Sequence, residues 1–307
     1  MRLVLPLAIA VLLTGPAAAQ SLLDFQRALQ SIHKAVWEVK QERRRAQAKT
    51  DSRQEELLRL LDDGDPSVRA EAAKALKNHL GDPQVQKRLL EVLDRYGELD
   101  RVRREIIKSL SAASPYYSVQ DRLVAAANSP SESSDIRSVA LKSLFPVAVR
   151  YDIRERVLIP ALEDGGRPLI ERRAAAWALF ANAADIATQQ ALLRVARNAR
   201  EPDAFRVEAI KSLALGMPYW AVQDPIFAIA RDSGEPASVR EPAILCFAMI
   251  GLTPEQLRFL RELARNESDS ALRQAAIKSL GGLTVELARY FHFAYYGDKF
   301  LDPLEDQ

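Results

Sequence analysis

Side chains that carry out catalysis in most enzymes are sparse in this sequence. The three histidines, His33, His79 and His292, are far apart along the chain. None has a second histidine or a cysteine at a spacing that suits a metal ion. The sequence contains no glycine-rich phosphate loop, no G-x-S-x-G motif and no H-E-x-x-H motif. We therefore expect no catalytic residues, no metal and no cofactor, and a protein that is not an enzyme.

A regular series of cationic residues indicates binding chemistry instead. Lysine fills five of its seven places, and tryptophan fills the fourth. The series consists of Lys74, Lys108, Lys142, Trp177, Lys211, Leu245 and Lys278. Glutamate precedes three of these lysines by three residues, at Glu71, Glu105 and Glu208. For the series as a whole we favour solvated ion pairs along helices, each worth about 0.2–0.5 kcal/mol.

The middle of this series indicates a binding site more strongly. Arg104 and Arg173 add positive charge there, and Val139 stands where a glutamate would pair with Lys142. A tryptophan surrounded by cations is a common anchor for a partner. The predicted partner-binding residues are Arg104, Lys108, Lys142, Arg173, Trp177 and Lys211. The alternative is that Trp177 folds back and fills the space above the alanines at 174–176.

Aromatic residues form a second candidate surface. The segments PYYSVQD and PYWAVQD begin 103 residues apart at Pro115 and Pro218, and Tyr151 occupies the equivalent place between them. The aromatic residues of this surface are Tyr116, Tyr117, Tyr151, Tyr219 and Trp220. They either form an exposed edge that binds a partner or attach the start of a helix to its neighbour, and the second interpretation is favoured.

The elements that position these residues repeat along the chain. Segments such as VRREIIKSL and LRQAAIKSL recur seven times, at intervals of 34, 34, 35, 34, 34 and 33 residues. The copies begin at Val68, Val102, Ile136, Glu171, Phe205, Val239 and Leu272. Arginine is always the second residue, at Arg69, Arg103, Arg137, Arg172, Arg206, Arg240 and Arg273. Counting the first residue as position 0, apolar or small residues fill positions 0, 4, 5 and 8 almost throughout, which is one face of a helix.

Each copy is therefore predicted to be the second helix of a pair, with positions 2, 3 and 6 facing outward. First helices are predicted over residues 55–61, 85–93, 119–127, 153–162, 188–195, 222–230 and 254–264. Turn residues separate the two helices of a pair. A single pair cannot bury both of its apolar sides, so neighbouring pairs must stack.

The pattern D-x-x-V-R-x-x-A-x-x-A-L is most complete from Asp65 to Leu76. It resembles HEAT and HEAT-like repeats, including those of the phycobilin-lyase type, over residues 54–282. The resemblance implies an all-α fold, an α-solenoid of about seven two-helix repeats, in which positions 2, 3 and 6 line the concave side. It also implies that the repeated arginines form a structural ladder with aspartates of the turns. The candidate aspartates are Asp65, Asp100, Asp203 and Asp269.

The ends of the chain differ from the repeats. Arg2, an apolar run at 3–13 and small residues at 17–19 predict a signal peptide over residues 1–19. The alternative, a membrane anchor, would need about 20 apolar residues. Residues 20–53 are predicted to form an N-terminal capping helix with a charged extension, and 283–307 a C-terminal capping helix and tail. We expect a bacterial secreted protein, periplasmic or extracellular, with no membrane span after signal cleavage.

The composition narrows the class of partner. Apolar residues make up 48% and charged residues 27% of the 307 residues, as in soluble globular proteins. Without residues 1–19 the net charge is +1, which does not favour a nucleic-acid partner. The one cysteine, Cys246, lies in an apolar helix and is expected to be buried. We expect a non-catalytic scaffold that binds a protein or peptide, an acidic one if the central cations take part. The alternative is a lyase-like repeat protein that handles a small molecule or chromophore.

Overall fold

Helices and turns make up the described part of the chain. The structure is a computed structural model that describes residues 52–291, in which no strand occurs. The helices are α1 (Ser52–Leu60), α2 (Pro66–Leu76), α3 (Pro83–Leu93), α4 (Asp100–Leu110), α5 (Tyr117–Asn128), α6 (Ser134–Ser143), α7 (Tyr151–Ile153, continuing through Arg154–Leu158 and Ile159–Glu163), α8 (Leu169–Leu179), α9 (Ile186–Arg197), α10 (Asp203–Ser212), α11 (Trp220–Arg231), α12 (Ala237–Leu245), α13 (Pro254–Asn266), α14 (Ser270–Leu280) and α15 (Val285–Tyr290). The helices α1 to α14 form seven pairs, which confirms the predicted all-α solenoid of two-helix repeats.

The described residues divide into two compact units. Residues 52–181 contain four helix pairs, α1 to α8. Residues 182–291 contain three pairs, α9 to α14, followed by α15. Consecutive second helices pack on one another within each unit. In the first unit α2 packs on α4, α4 on α6 and α6 on α8; in the second unit α10 packs on α12 and α12 on α14. Most contact between repeats is therefore made by the second helices.

The apolar positions of the second helices explain this packing. In α4, Ile106, Ile107 and Leu110 are completely buried, and the other repeats bury the same positions. Each such side chain contributes about 1.5–3 kcal/mol when it leaves water. The last repeat is the exception, because Ile277 and Leu280 of α14 stay 55% and 37% exposed. Positions 5 and 8 thus form the contact with the following repeat.

Side-chain caps mark the start of several helices, among them α2, α3, α9 and α13. Asp65 accepts a hydrogen bond from the backbone N–H of Ser67 at 2.7 Å, and proline occupies the first turn of α2. One predicted first helix differs from expectation, because α7 widens into a π-helical turn. Pro160 of α7 has no N–H, and just before it the N–H of Ile159 donates to the carbonyl of Arg154.

Several predictions lie outside the described residues. These are the signal peptide at 1–19, residues 20–51 of the N-terminal capping segment, and the C-terminal segment from 292 onward, with His33 and His292. Among residues 52–291, no helix is both long and apolar enough to cross a bilayer.

Candidate functional site

The repeated arginine of the second helix contacts its own repeat and the next one. Arg69 donates to the carbonyl of Asp63 at 2.7 Å and, through Nε and Nη2, to both oxygens of Glu98 at 3.0 and 2.7 Å. The same pairing joins Arg103 to Glu132 and Arg137 to Glu171 in residues 52–181, and Arg206 to Glu235 and Arg240 to Glu267 in residues 182–291. Arg172 and Arg273 donate to the carbonyls of Leu162 and Glu267. These arginines therefore serve the scaffold.

The acidic partners are glutamates, so the expectation of turn aspartates is wrong. Asp65 accepts from Ser67, and Asp269 caps its own helix in the same way. Asp100 and Asp203 each accept from a serine hydroxyl of the next repeat. The short aspartate side chain is held by helix capping. The longer glutamate side chain reaches the arginine of the preceding repeat.

The sequence contains a signal for these glutamates that the search for aspartates missed. Four repeats have a glutamate four residues before position 0: Glu98, Glu132, Glu201 and Glu235. In the fourth repeat Arg167 holds that place, and Glu171 stands one helical turn later at position 0. Arg167 contacts Glu171 at 3.2 Å. The acidic partner is thus kept, but it has moved into the buried face.

A serine forms a second link between consecutive second helices. Ser109, Ser143 and Ser279, at position 7, donate to backbone carbonyls of the preceding second helix at 2.9, 3.3 and 2.7 Å. Cys246 holds the same position, with its Sγ 3.8 Å from the carbonyl oxygen of Ile210. Complete burial raises the pKa of the Cys246 thiol. The prediction of a buried cysteine is confirmed.

The predicted cationic residues of residues 52–181 lie on consecutive second helices. Arg104 on α4 contacts Asp135 at 2.8 Å, and Lys108 contacts Glu105 at 3.0 Å. Their charges are therefore balanced locally, as the ion-pair interpretation expects. Lys142 on α6 and Arg173 on α8 are half-buried. The structure thus places five of the six predicted residues on α4, α6 and α8, and the sixth, Lys211, on α10 of the other unit.

Trp177 does not project into solvent. It is 4% exposed, and its ring centre lies 4.9 Å from that of Phe145, in the turn after α6. Phe145 also stacks on Phe180, with ring centres 6.4 Å apart. The expectation of a solvated tryptophan is wrong, because an aromatic residue of the preceding repeat covers position 6 here. Trp177 fills space in the core, as the alternative interpretation had it.

The edge aromatics fall into two groups. Tyr116 and Tyr219 directly precede α5 and α11 and are half-buried, which agrees with attachment of a helix start. Tyr117, Tyr151 and Trp220 are the first residues of α5, α7 and α11, and their exposed fractions are 68%, 65% and 64%. The two tyrosines belong to residues 52–181 and the tryptophan to residues 182–291. Each exposed ring stands at the same place in its repeat.

Two arginines lie over the exposed rings of residues 52–181. The guanidinium carbon of Arg150 is 4.7 Å from the ring centre of Tyr117, and that of Arg154 is 5.8 Å from the ring centre of Tyr151. A cation–π contact at an exposed site is worth about 0.5–1 kcal/mol. The contacts restrict the two rings, which lowers the entropy lost when a partner covers them.

Lys211 contacts the C-terminal helix of its own unit. Its Nζ lies 4.4 Å from the ring centre of Tyr290 at the end of α15. Lys278, at position 6 of α14, donates to Oε1 of Glu286 at 2.8 Å. Leu245, at position 6 of α12, is 3% exposed. The structure therefore brings α15 to the position-6 residues of this unit, for which the sequence held no recognisable signal.

An open groove lies between α1 and α2 in the first repeat. Its volume is about 440 Å³. The lining residues are Leu57, Leu60, Ser67, Val68, Glu71, Ala72 and Ala75. Val68 is half-buried there, whereas the residues at position 0 of the other repeats are buried. Within residues 52–291, no three histidine, cysteine, aspartate or glutamate side chains come together as a metal site.

The fold is a helical-repeat scaffold. Its helix pairs stack, and arginine–glutamate and serine–carbonyl contacts join consecutive pairs. The sequence profile of HEAT repeats matches residues 54–145 and 189–281, and the chain belongs to the family of HEAT-repeat proteins. No curated protein matches the sequence. One similar solved structure is human deoxyhypusine hydroxylase in complex with glycerol, with 17% identity and a TM-score of 0.35. That likeness covers 90% of this chain and 100% of the hydroxylase chain.

Proposed function

We propose that this protein is a non-catalytic scaffold that binds a protein partner through the edge aromatics Tyr117, Tyr151 and Trp220. The observation that carries the proposal is that these rings are 64–68% exposed at equivalent places of their repeats. Tyrosine and tryptophan are enriched among the residues that dominate binding energy. A side chain of this size removes about 150–250 Å² from water when a partner covers it.

The edge is a better candidate than the central cations. Arg104 and Lys108 already contact carboxylates, so a partner would have to replace those ion pairs. Trp177 is buried and has no free face to offer. The edge rings, in contrast, keep 64–68% of their surface exposed, and a partner can cover that surface while Arg150 and Arg154 stay on the rings of Tyr117 and Tyr151.

The test compares variants of exposed aromatic residues. Partners captured from the cell envelope by the wild-type protein are identified, purified and titrated against Tyr117→Ser/Tyr151→Ser and against Trp220→Ser. We expect at least one of these variants to bind about 10-fold more weakly or worse. Tyr96→Ser is the matched control, because Tyr96 is completely exposed in the turn between α3 and α4. Unchanged affinity in both edge variants, or an equal loss in the control, contradicts the proposal.

We also propose that the protein acts outside the cytoplasm after removal of residues 1–19. The support is the sequence pattern of that segment. N-terminal sequencing of the protein from the producing cell should begin at Gln20, and an intact Met1 in the exported fraction would exclude the cleavage.

A further inference from the structure

The C-terminal helix α15 lies against residues that the repeats present on their outward face. We call this surface the second-helix face of residues 182–291; it consists of Glu208, Lys211, Glu241, Leu245 and Lys278. Glu286 of α15 binds Lys278, and the ring of Tyr290 lies over Lys211. Burial, followed by the nearby charges of Glu241 and Glu208, raises the pKa of Tyr290. The ring thus lies among residues of α10 and α12.

The helix α15 lies in the first part of the segment 283–307, for which the sequence predicted a capping helix and tail. A cap would cover positions 5 and 8 of α14, as each following repeat covers those positions in the repeat before it. Ile277 and Leu280 hold these positions and are 55% and 37% exposed. Leu287 and Ala288 of α15 and Phe291 directly after it are buried, with 2%, 5% and 0% of their surface exposed. The described part of the segment therefore docks on the second-helix face and leaves the last layer uncovered.

The contacts of α15 have the form of a ligand bound in a groove. A helix of six residues is not stable alone in water, so its conformation depends on the surface it contacts. Glu286 and Tyr290 are four residues apart and therefore lie on one side of the helix. The carboxylate of Glu286 accepts a hydrogen bond from the ammonium group of Lys278. The ring face of Tyr290 contacts the ammonium group of Lys211.

We propose that the second-helix face of residues 182–291 is a peptide-binding groove, which the chain fills with its own C-terminal helix. Its ligand in trans is a helical segment of a partner protein, with a carboxylate and an aromatic side chain one turn apart. Such a segment competes with α15 for Lys278 and Lys211. This groove is separate from the edge aromatics, and the proposal does not depend on their function.

Peptide binding to the full-length chain tests the proposal. A fluorescently labelled peptide of residues 283–291 is titrated against the wild type and against Glu286→Lys/Tyr290→Ser, with anisotropy as the readout. The tethered helix competes at an effective concentration of about millimolar, so the wild type should bind the peptide at least about 10-fold more weakly than the variant. The same peptide with both substitutions should bind neither protein.

Two further variants keep the test decisive. Glu286→Lys alone changes a carboxylate that is mostly exposed, so it preserves the fold and should also strengthen peptide binding. Adding Lys278→Glu restores the ion pair within the chain with reversed charges. It should lower peptide binding to the wild-type level or below, because the peptide's own glutamate then meets a carboxylate in place of the ammonium group of Lys278. Equal binding by the wild type and Glu286→Lys, or no peptide binding by any variant, overturns the proposal. A dimeric wild type and a monomeric Glu286→Lys/Tyr290→Ser variant in light scattering would show that C-terminal helices are exchanged between copies, and would overturn the assignment of α15 to its own chain.

Discussion

Arg137 and Glu171 form a buried ion pair between two consecutive repeats. The Nε and Nη2 atoms of Arg137 lie 2.8 and 2.6 Å from Oε1 of Glu171, whose side chain is 1% exposed. Arg167 contacts the second oxygen of the same carboxylate at 3.2 Å. Glu171 occupies position 0, which is apolar in the six other repeats. The fourth repeat therefore uses one carboxylate to balance two arginines at a position that otherwise holds a core residue.

Glu171→Gln should destabilise the protein by about 2–3 kcal/mol, because two arginines lose the charge that balances them while remaining largely buried. Urea unfolding of the wild type and the variant measures this difference. The double variant Arg167→Glu/Glu171→Ile restores the arrangement of the other repeats. It should lie within about 1 kcal/mol of the wild type, while each single substitution of the pair costs more. If the double variant is no more stable to urea than the less stable single variant, the two positions are not coupled.

Glu98 should make the stability depend on acid pH. Burial is the largest influence and opposes the charge. The hydrogen bonds from Arg69 and the backbone N–H of Leu99, together with the positive charges of Arg69 and Arg95, outweigh it and lower the pKa of Glu98 from its ordinary value of 4.5. Because the pKa is lower in the folded state, the stabilisation is complete above the ordinary value and is lost as the pH falls through the folded value. Glu98→Gln should cost about 1–3 kcal/mol near pH 7. The difference in unfolding free energy between the two proteins should shrink below about pH 4, and a constant difference would refute this assignment.

Trp177→Ala should destabilise the protein strongly, since the tryptophan fills the core between α8 and Phe145. Removal of a buried tryptophan costs about 3–5 kcal/mol, and Trp177→Phe should cost less because it retains a ring against Phe145. Denaturant unfolding of both variants gives the comparison. A loss below about 1 kcal/mol for Trp177→Ala is what an exposed binding anchor would show, and it would contradict the buried position.

Gly216→Ala should disturb the contact between two turns of residues 182–291. A Cβ atom at Gly216 would lie 2.8 Å from the carbonyl oxygen of Ala183 and 3.2 Å from Cγ2 of Val222. The backbone must therefore shift, at a cost of about 1–3 kcal/mol in unfolding free energy. Gly165→Ala is the matched control, because nothing lies within 4 Å of a Cβ atom there. Equal stability of the two variants would show that the turns separate without cost.

The repeat architecture was predictable because its signals are local. Arginine at intervals of 33–35 residues, with apolar residues at positions 0, 4, 5 and 8, defines one face of each second helix without knowledge of any distant contact. The interval from Arg69 to Glu98 is 29 residues, and it was missed only because the search followed the aspartates.

The surfaces were decided by tertiary packing. Sequence alone placed Trp177 at an outward position of α8, but Phe145, 32 residues earlier, covers it. It also gave no sign that Lys211 and Lys278 contact α15 through Tyr290 and Glu286. The helical periodicity of a sequence shows which side of a helix is apolar. Which side chains then remain exposed depends on residues that meet only after the helix pairs have stacked.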